Sequence, residues 1–302
     1  MKKYLEQFMT DFKYPGDAID SLLNDYSSIF EKEEARCILE THVSDYEKNN
    51  TLDWQKAIES MDTAAKLVQI NSYSAQFILF LCLTRHAHEL YEKQNLPEQI
   101  FYDSFCDLRY KLMECKQVRG VWGSFVCFWF PRFFELTRFA LGRLQYETFE
   151  FNFDGEYKTK YKILRNGDTV INMHIPSAGP LDHDSVIDSY KKAYSFYKNL
   201  YSDGIVPFVC DSWLLTPVHE KILPENSNIL KFMKDFTIIS SRQTDDFSDG
   251  WRVFGKSVTR DNISELPEET TLQRIYKNYL LGDGKAGAGY GVILFDGENI
   301  LK

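Results

Sequence analysis

Residues 168–215 constrain the fold more tightly than any other part of the chain. They open with DTVINMHIP, where Val170, Asn172 and His174 alternate with Ile171, Met173 and Ile175. Strict alternation of this kind predicts a strand with two different faces. A small-residue loop, SAGPL, follows, and Asp182 stands where it caps a helix with Val186, Tyr190, Ala193, Tyr194, Tyr197 and Tyr201 along one side. Asp203-Gly204 closes that helix, and the apolar run IVPFVCDSWLL reads as a buried strand. A crossover this short between strands of one sheet predicts a parallel pair. The SAGPL loop then falls at the carboxyl end of a strand and against a helix N-terminus. Backbone N–H groups lack partners there, and the helix dipole favours an anion.

The chain before this unit divides in character. Residues 1 to about 118 read as helix, with no strand pattern of useful length. Asp17 caps a stripe of Ile19, Leu22, Leu23, Tyr26, Ile29 and Phe30; helices over residues 31–48, 53–70 and 74–94 follow, and Pro97 opens another. Five or six helices are expected. A Trp- and Phe-rich stretch, residues 119–142, reads as a connector packing between domains. Period-two patterns then begin. Residues 147–153 and 157–164 predict two strands, with hairpin turns at Asp154-Gly155 and Asn166-Gly167. Beyond Leu215, Asn226-Ser227-Asn228 caps a short helix. Strands are expected at residues 237–241 and 251–256, joined by an acidic loop around Asp245, Asp246 and Asp249. Thr270 and Gln273 form a capping box. Gly282, Gly284 and Gly287 have GxGxxG spacing but follow a helix, the reverse of the dinucleotide-binding context, so a mobile loop is expected before a final strand.

Several function classes are disfavoured. Lys and Arg number 35 against 44 Asp and Glu, a formal charge of −9, with no basic block to neutralise nucleic-acid phosphates. The most apolar stretch, residues 121–130, is interrupted by Pro131, Arg132, Glu135 and Arg138 and is too short to span a bilayer. The opening MKKYLEQFMTDF lacks the apolar core of a signal peptide. The six cysteines show neither CxxC nor zinc spacing, as expected for reduced thiols of a cytoplasmic protein without a metal site. His86 and His88 lie two apart on a helix and diverge, so they do not chelate one metal.

The order of elements in the second half resembles the GNAT acyltransferase fold. The run Leu141-Gly142-Arg143-Leu144-Gln145-Tyr146-Glu147, together with His174-Ile175-Pro176, Cys210-Asp211-Ser212-Trp213-Leu214-Leu215, Ser227-Asn228-Ile229 and Leu272-Gln273-Arg274, resembles a bacterial two-domain acyltransferase family. The resemblance implies an α+β protein: an all-helical N-terminal domain, residues 1–143, followed by a GNAT-like mixed β-sheet domain with flanking helices, residues 144–302. It implies acetyl-CoA or another acyl-CoA as co-substrate and a small-molecule or peptide amine as acceptor. The coenzyme would enter between the two parallel strands. Backbone groups at Met173 and Ile175 would meet the pantetheine, Ser177, Ala178, Gly179 and Leu181 the pyrophosphate, and Asn226 and Asn228 the pantetheine amides.

The residues themselves allow more than one reading. His174 suits a general base at neutral pH, or is a hydrogen-bonded histidine beside Asn172. Cys210 and Ser212 share one strand face, as a thiol and hydroxyl beside a thioester or as a buried thiol and a backbone-satisfied hydroxyl. The loop carries one glycine and no basic residue, and Pro180 removes an N–H. Asp182 and Asp184 add negative charge at the helix start. A catalytically silent GNAT-fold binding protein is therefore the alternative to the enzyme.

Overall fold

A computed structural model of the chain describes residues 1–245 and 247–302, so Asp246 of the expected acidic loop lies outside the described residues. The chain divides into two compact units, Met1–Phe139 and Ala140–Lys302.

The first unit is helical: α1 (Lys2–Asp11), α2 (Gly16–Glu31), α3 (Glu33–Asn49), α4 (Trp54–Val68), α5 (Ser72–Lys93) and α6 (Glu98–Arg119), then the short α7 (Pro131–Phe134). Its axis is α5, whose run Phe77, Ile78, Leu79, Phe80, Leu81, Cys82 and Leu83 is buried on every side. A helix apolar all round is one that its neighbours enclose. Phe130 and Phe134 pack their rings 5.1 and 5.4 Å from that of Phe80. The aromatic stretch expected to be a connector thus completes this unit's own core.

The second unit carries β1 (Arg138–Leu141), which begins at the boundary, β2 (Leu144–Glu150), β3 (Glu156–Lys158), β4 (Ile163–Arg165) and β5 (Thr169–His174). It continues through α8 (His183–Tyr197), β6 (Val206–Ser212), α9 (His219–Ile222), α10 (Asn228–Asp235), β7 (Thr237–Thr244), α11 (Trp251–Phe254), α12 (Thr271–Leu281), β8 (Ala286–Phe295) and β9 (Ile300–Leu301). The main sheet runs β1-β2-β5-β6-β8-β7, with β9 also on β8. β5 and β6 are parallel, as the crossover pattern predicts, and β2–β5, β6–β8 and β7–β8 are antiparallel. One face of the sheet packs on α8, where Tyr190 stacks at 6.0 Å on Phe208.

Three expectations are corrected. Residues 157–164 are not one strand of the sheet: β3 and β4 pair with each other as a separate hairpin. Its turn is tied by the Thr159 hydroxyl, which accepts from the N–H groups of Tyr161 and Lys162 at 3.1 Å. Alternation does not reveal where a chain reverses. Within the strand expected at residues 251–256, Trp251–Phe254 form a helical turn, α11, ended by Gly255 at φ +66°, because Val253 and Phe254 both reach one core with Tyr276 and Leu280. Burial overrides the strand propensity of Trp, Val and Phe. The glycine-rich run is a loop only over residues 282–285 and from Ala286 enters β8, an interior strand paired with both β6 and β7. Its glycines permit a close layer. A Cβ on Gly289 would sit 2.2 Å from the carbonyl oxygen of Leu215.

No helix among the described residues is long and apolar enough to cross a membrane. Nor do the described residues contain a group of three or more His, Cys, Asp or Glu side chains placed to hold a metal ion.

Candidate active site

The two parallel strands part company near their carboxyl ends. Pairing between β5 and β6 covers Ile171↔Phe208 and Asn172↔Val209. Beyond it, β5 stays paired with β2 through Gln145↔His174, and β6 with β8 through Ser212↔Gly289. Both strands are therefore held from outside while the edges that face each other open into a wedge. Backbone N–H and C=O groups demand partners, and such a wedge offers them to an extended ligand carrying amides.

Opposite residues of adjacent strands share a face, so the register assigns each candidate to a side. Glu147 lies opposite Asn172, and Gln145 opposite His174. Glu147 is 3% exposed, and its Oε1 sits 2.6 Å from His174 Nε2. The Asn172 amide nitrogen lies 3.3 Å from that same carboxylate oxygen and donates to it. A neutral imidazole donating from Nε2 to a carboxylate holds its lone pair on Nδ1, which becomes the basic atom. On the far side of the wedge this face continues through Asp211, whose carboxylate meets Arg242 Nη1 at 2.9 and 3.0 Å, and Tyr290, whose hydroxyl is pushed up to about 12 by burial.

Cys210 and Ser212 lie on the opposite face. Cys210 is fully buried, and desolvation raises its thiol far above the ordinary range, so it carries no thiolate at neutral pH. The Ser212 hydroxyl accepts the N–H of Leu214 at 3.2 Å, starting the turn that follows β6. The structure thus places these two on the sheet face opposite His174, the thiol buried and the hydroxyl capping a turn. Met173, 1% exposed, shares their face. Ile175 is half-buried just past the end of β5.

The loop of residues 176–181 sits where the crossover pattern places it, between β5 and α8. Gly179 has φ +99°, a conformation that favours glycine. Among the described residues, the N–H groups of Ala178, Gly179 and Leu181 donate to no protein acceptor. The first turn of α8, by contrast, is already capped. The Asp182 carboxylate accepts from the Ser185 N–H at 3.1 Å, and that bond leads the interactions that lower its pKa. Lys231 of α10 adds positive charge near it. α10 is tied to the start of α8 by Asp235, which contacts His183 Nε2 at 3.1 Å and accepts from the Tyr190 hydroxyl at 3.2 Å. Of the expected contacts on that helix, Ser227 is the residue that caps, taking the Ile229 N–H at 3.2 Å, while Asn226 and Asn228 are exposed.

Two residues of consequence had no role in the sequence reading, although both stand in the LGRLQYE run. Glu147 becomes the partner of His174 only through the β2–β5 register. Arg143 donates from Nε to the carbonyl of Pro180 at 3.0 Å, from Nη1 to that of Pro176 at 3.0 Å and from Nη2 to that of Gly179 at 2.8 Å. A charged residue in a sequence of strand, Gly-Arg and strand is the available signal, since Gly142 at φ +80° opens a two-residue hairpin that presents Arg143 at its tip.

Comparison with known proteins agrees with this fold. No curated protein matches the chain. A solved acyltransferase in complex with decanoyl-CoA is similar over 95% of this chain and 86% of its own, at 19% identity and a TM-score of 0.72. An acyltransferase in complex with decanoyl-CoA and teicoplanin is similar over 76% and 67%, at 20% identity and a TM-score of 0.62. At these identities the likeness establishes a shared fold. Residues 3–136 match the N-acyltransferase N-terminal domain. Residues 138–293 match the GNAT-like C-terminal domain, and this protein belongs to that family.

Proposed function

We propose that the protein transfers an acyl group from acyl-CoA to an amine. The observation that carries this reading is the wedge between β5 and β6, with the Glu147–His174 pair on its rim. The pantetheine would lie along the unpaired edges near Met173 and Ile175, and the diphosphate over the N–H groups of Ala178, Gly179 and Leu181. The thioester would then reach the face that carries His174. The amine nitrogen attacks the thioester carbonyl carbon, and its proton passes to His174 Nδ1, directly or through one water. The Glu147 carboxylate stabilises the imidazolium as it forms. Collapse of the tetrahedral adduct breaks the carbon–sulfur bond, and the departing thiolate takes the proton from His174, leaving an amide and free coenzyme A.

The acceptor is a small-molecule or peptide amine. One structural neighbour was solved with decanoyl-CoA and teicoplanin together, which makes decanoyl-CoA the first donor to try beside acetyl-CoA. Calorimetry with both donors, and with a Gly179→Trp variant, tests the placement. Micromolar binding lost in the variant supports it; no binding to either donor by folded protein refutes it. A binding protein for another ligand is the second reading, supported by the Asp182 carboxylate that already occupies the start of α8. It predicts no thiol release with any amine, even where coenzyme A binds.

A further inference from the structure

We infer that Arg143 is a positioning residue that shapes the loop of residues 176–181 into a diphosphate cradle. The inference rests on the acyl-CoA reading above and adds a residue that the reading does not require.

The chain builds Arg143 into place from three directions. Gly142 and Arg143 form the turn between β1 and β2. Ser189 of α8 grips both ends of that turn: its hydroxyl donates to the Leu141 carbonyl at 2.6 Å and accepts from the Leu144 N–H at 3.1 Å. The Tyr146 hydroxyl meets the same oxygen at 2.9 Å. The hairpin tip is thus fixed on the helix that the loop leads into, and the guanidinium fork then binds the loop carbonyls of Pro176, Gly179 and Pro180.

The consequence follows from peptide geometry. In a trans peptide the C=O of one residue and the N–H of the next point in opposite directions. Drawing the carbonyls of Pro176 and Pro180 toward Arg143 turns the N–H groups of Ser177 and Leu181 away from it. The Gly179 carbonyl belongs to the one peptide that has no N–H, because Pro180 follows it. Pro180 thus removes the one donor that this contact would have aimed outward, so the cradle is left to the N–H groups of its neighbours. The outward Leu181 N–H joins those of Ala178 and Gly179, which donate to no protein acceptor among the described residues, in one anion-binding concavity, and the positive charge absent from the loop itself stands behind it on Arg143. A planar fork is needed to hold three carbonyls at once, which a lysine does not supply.

The test compares two ligands that differ in the diphosphate. Decanoyl-CoA and decanoyl-pantetheine are titrated into the unaltered protein, Arg143→Gln and Arg143→Lys, with thermal melts to establish folding. The expected result is a loss of roughly tenfold in affinity for decanoyl-CoA in Arg143→Gln, the scale of a charge-assisted hydrogen bond. Affinity for decanoyl-pantetheine should stay unchanged, and Arg143→Lys should recover only part of the loss. Equal weakening of both ligands would make Arg143 merely structural and overturn the inference. So would decanoyl-CoA affinity within twofold of the unaltered protein. If Arg143→Gln fails to fold, the Arg143→Lys comparison of the two ligands decides alone. Failure of the unaltered protein to bind either ligand would refute the acyl-CoA reading itself, whereas its binding both equally well would refute only the cradle.

Discussion

Replacing Glu147 by Gln tests the Glu147–His174 pair most directly. The substitution keeps the shape of the buried side chain and removes its charge. At 2.6 Å and 3% exposure the contact with His174 is a charge-assisted hydrogen bond shielded from water, a class that contributes about 1.5–3 kcal/mol. If the carboxylate acts by stabilising the imidazolium that forms only in the transition state, that energy is lost from the barrier. The rate constant should fall roughly 10- to 150-fold, with KM for acyl-CoA little changed, because the pair meets the amine and not the coenzyme. Initial rates are read from thiol release under saturating acyl-CoA. His174→Ala should lower kcat further and also spare coenzyme affinity. The double variant should be no slower than His174→Ala, since two residues acting as a unit do not add. Multiplicative losses in the double variant, or unchanged turnover in either single one, would refute the assigned roles.

Three further outcomes are expected. Burial lowers His219 to about 4, against about 6.5 in an unfolded chain; between those values only the unfolded chain takes the proton, so stability is complete above about pH 6.5 and falls by up to about 3 kcal/mol as pH drops to 4. Urea unfolding at pH 7 and pH 5 should show this slope, and His219→Phe should flatten it. Gly289→Ala places a Cβ against the Leu215 backbone and should destabilise the protein by about 3 kcal/mol, read from the same unfolding curves. Cys210→Ala should keep turnover within about twofold while lowering stability by about 1 kcal/mol; a hundredfold loss of rate would restore the thiol as a reacting group.

What the sequence states plainly is whatever depends on local pattern. The helical first half shows through its stripes of apolar residues, and the strand–loop–helix–strand unit through a switch of period from 2 to 3.6 and back. Asp182, Ser227 and Thr270 announce helix starts because a cap acts within three residues of itself. His174 is conspicuous for the same reason, as a titratable side chain at a predicted strand end. What the sequence leaves open are the pairings made across distance. Glu147 meets His174 only because β2 and β5 pair in a register that the intervening β3–β4 hairpin hides. Arg143 reaches a loop more than 30 residues onward because a serine on α8 fixes the hairpin tip. The glycines of β8 read as a loop until the strand is found enclosed by two neighbours and by Leu215, where no side chain fits. Cys210 and Ser212 alternate onto one face by sequence alone. Which face that is, and therefore that it is the one buried on α8 and not the one bearing His174, depends on packing that only the tertiary structure decides.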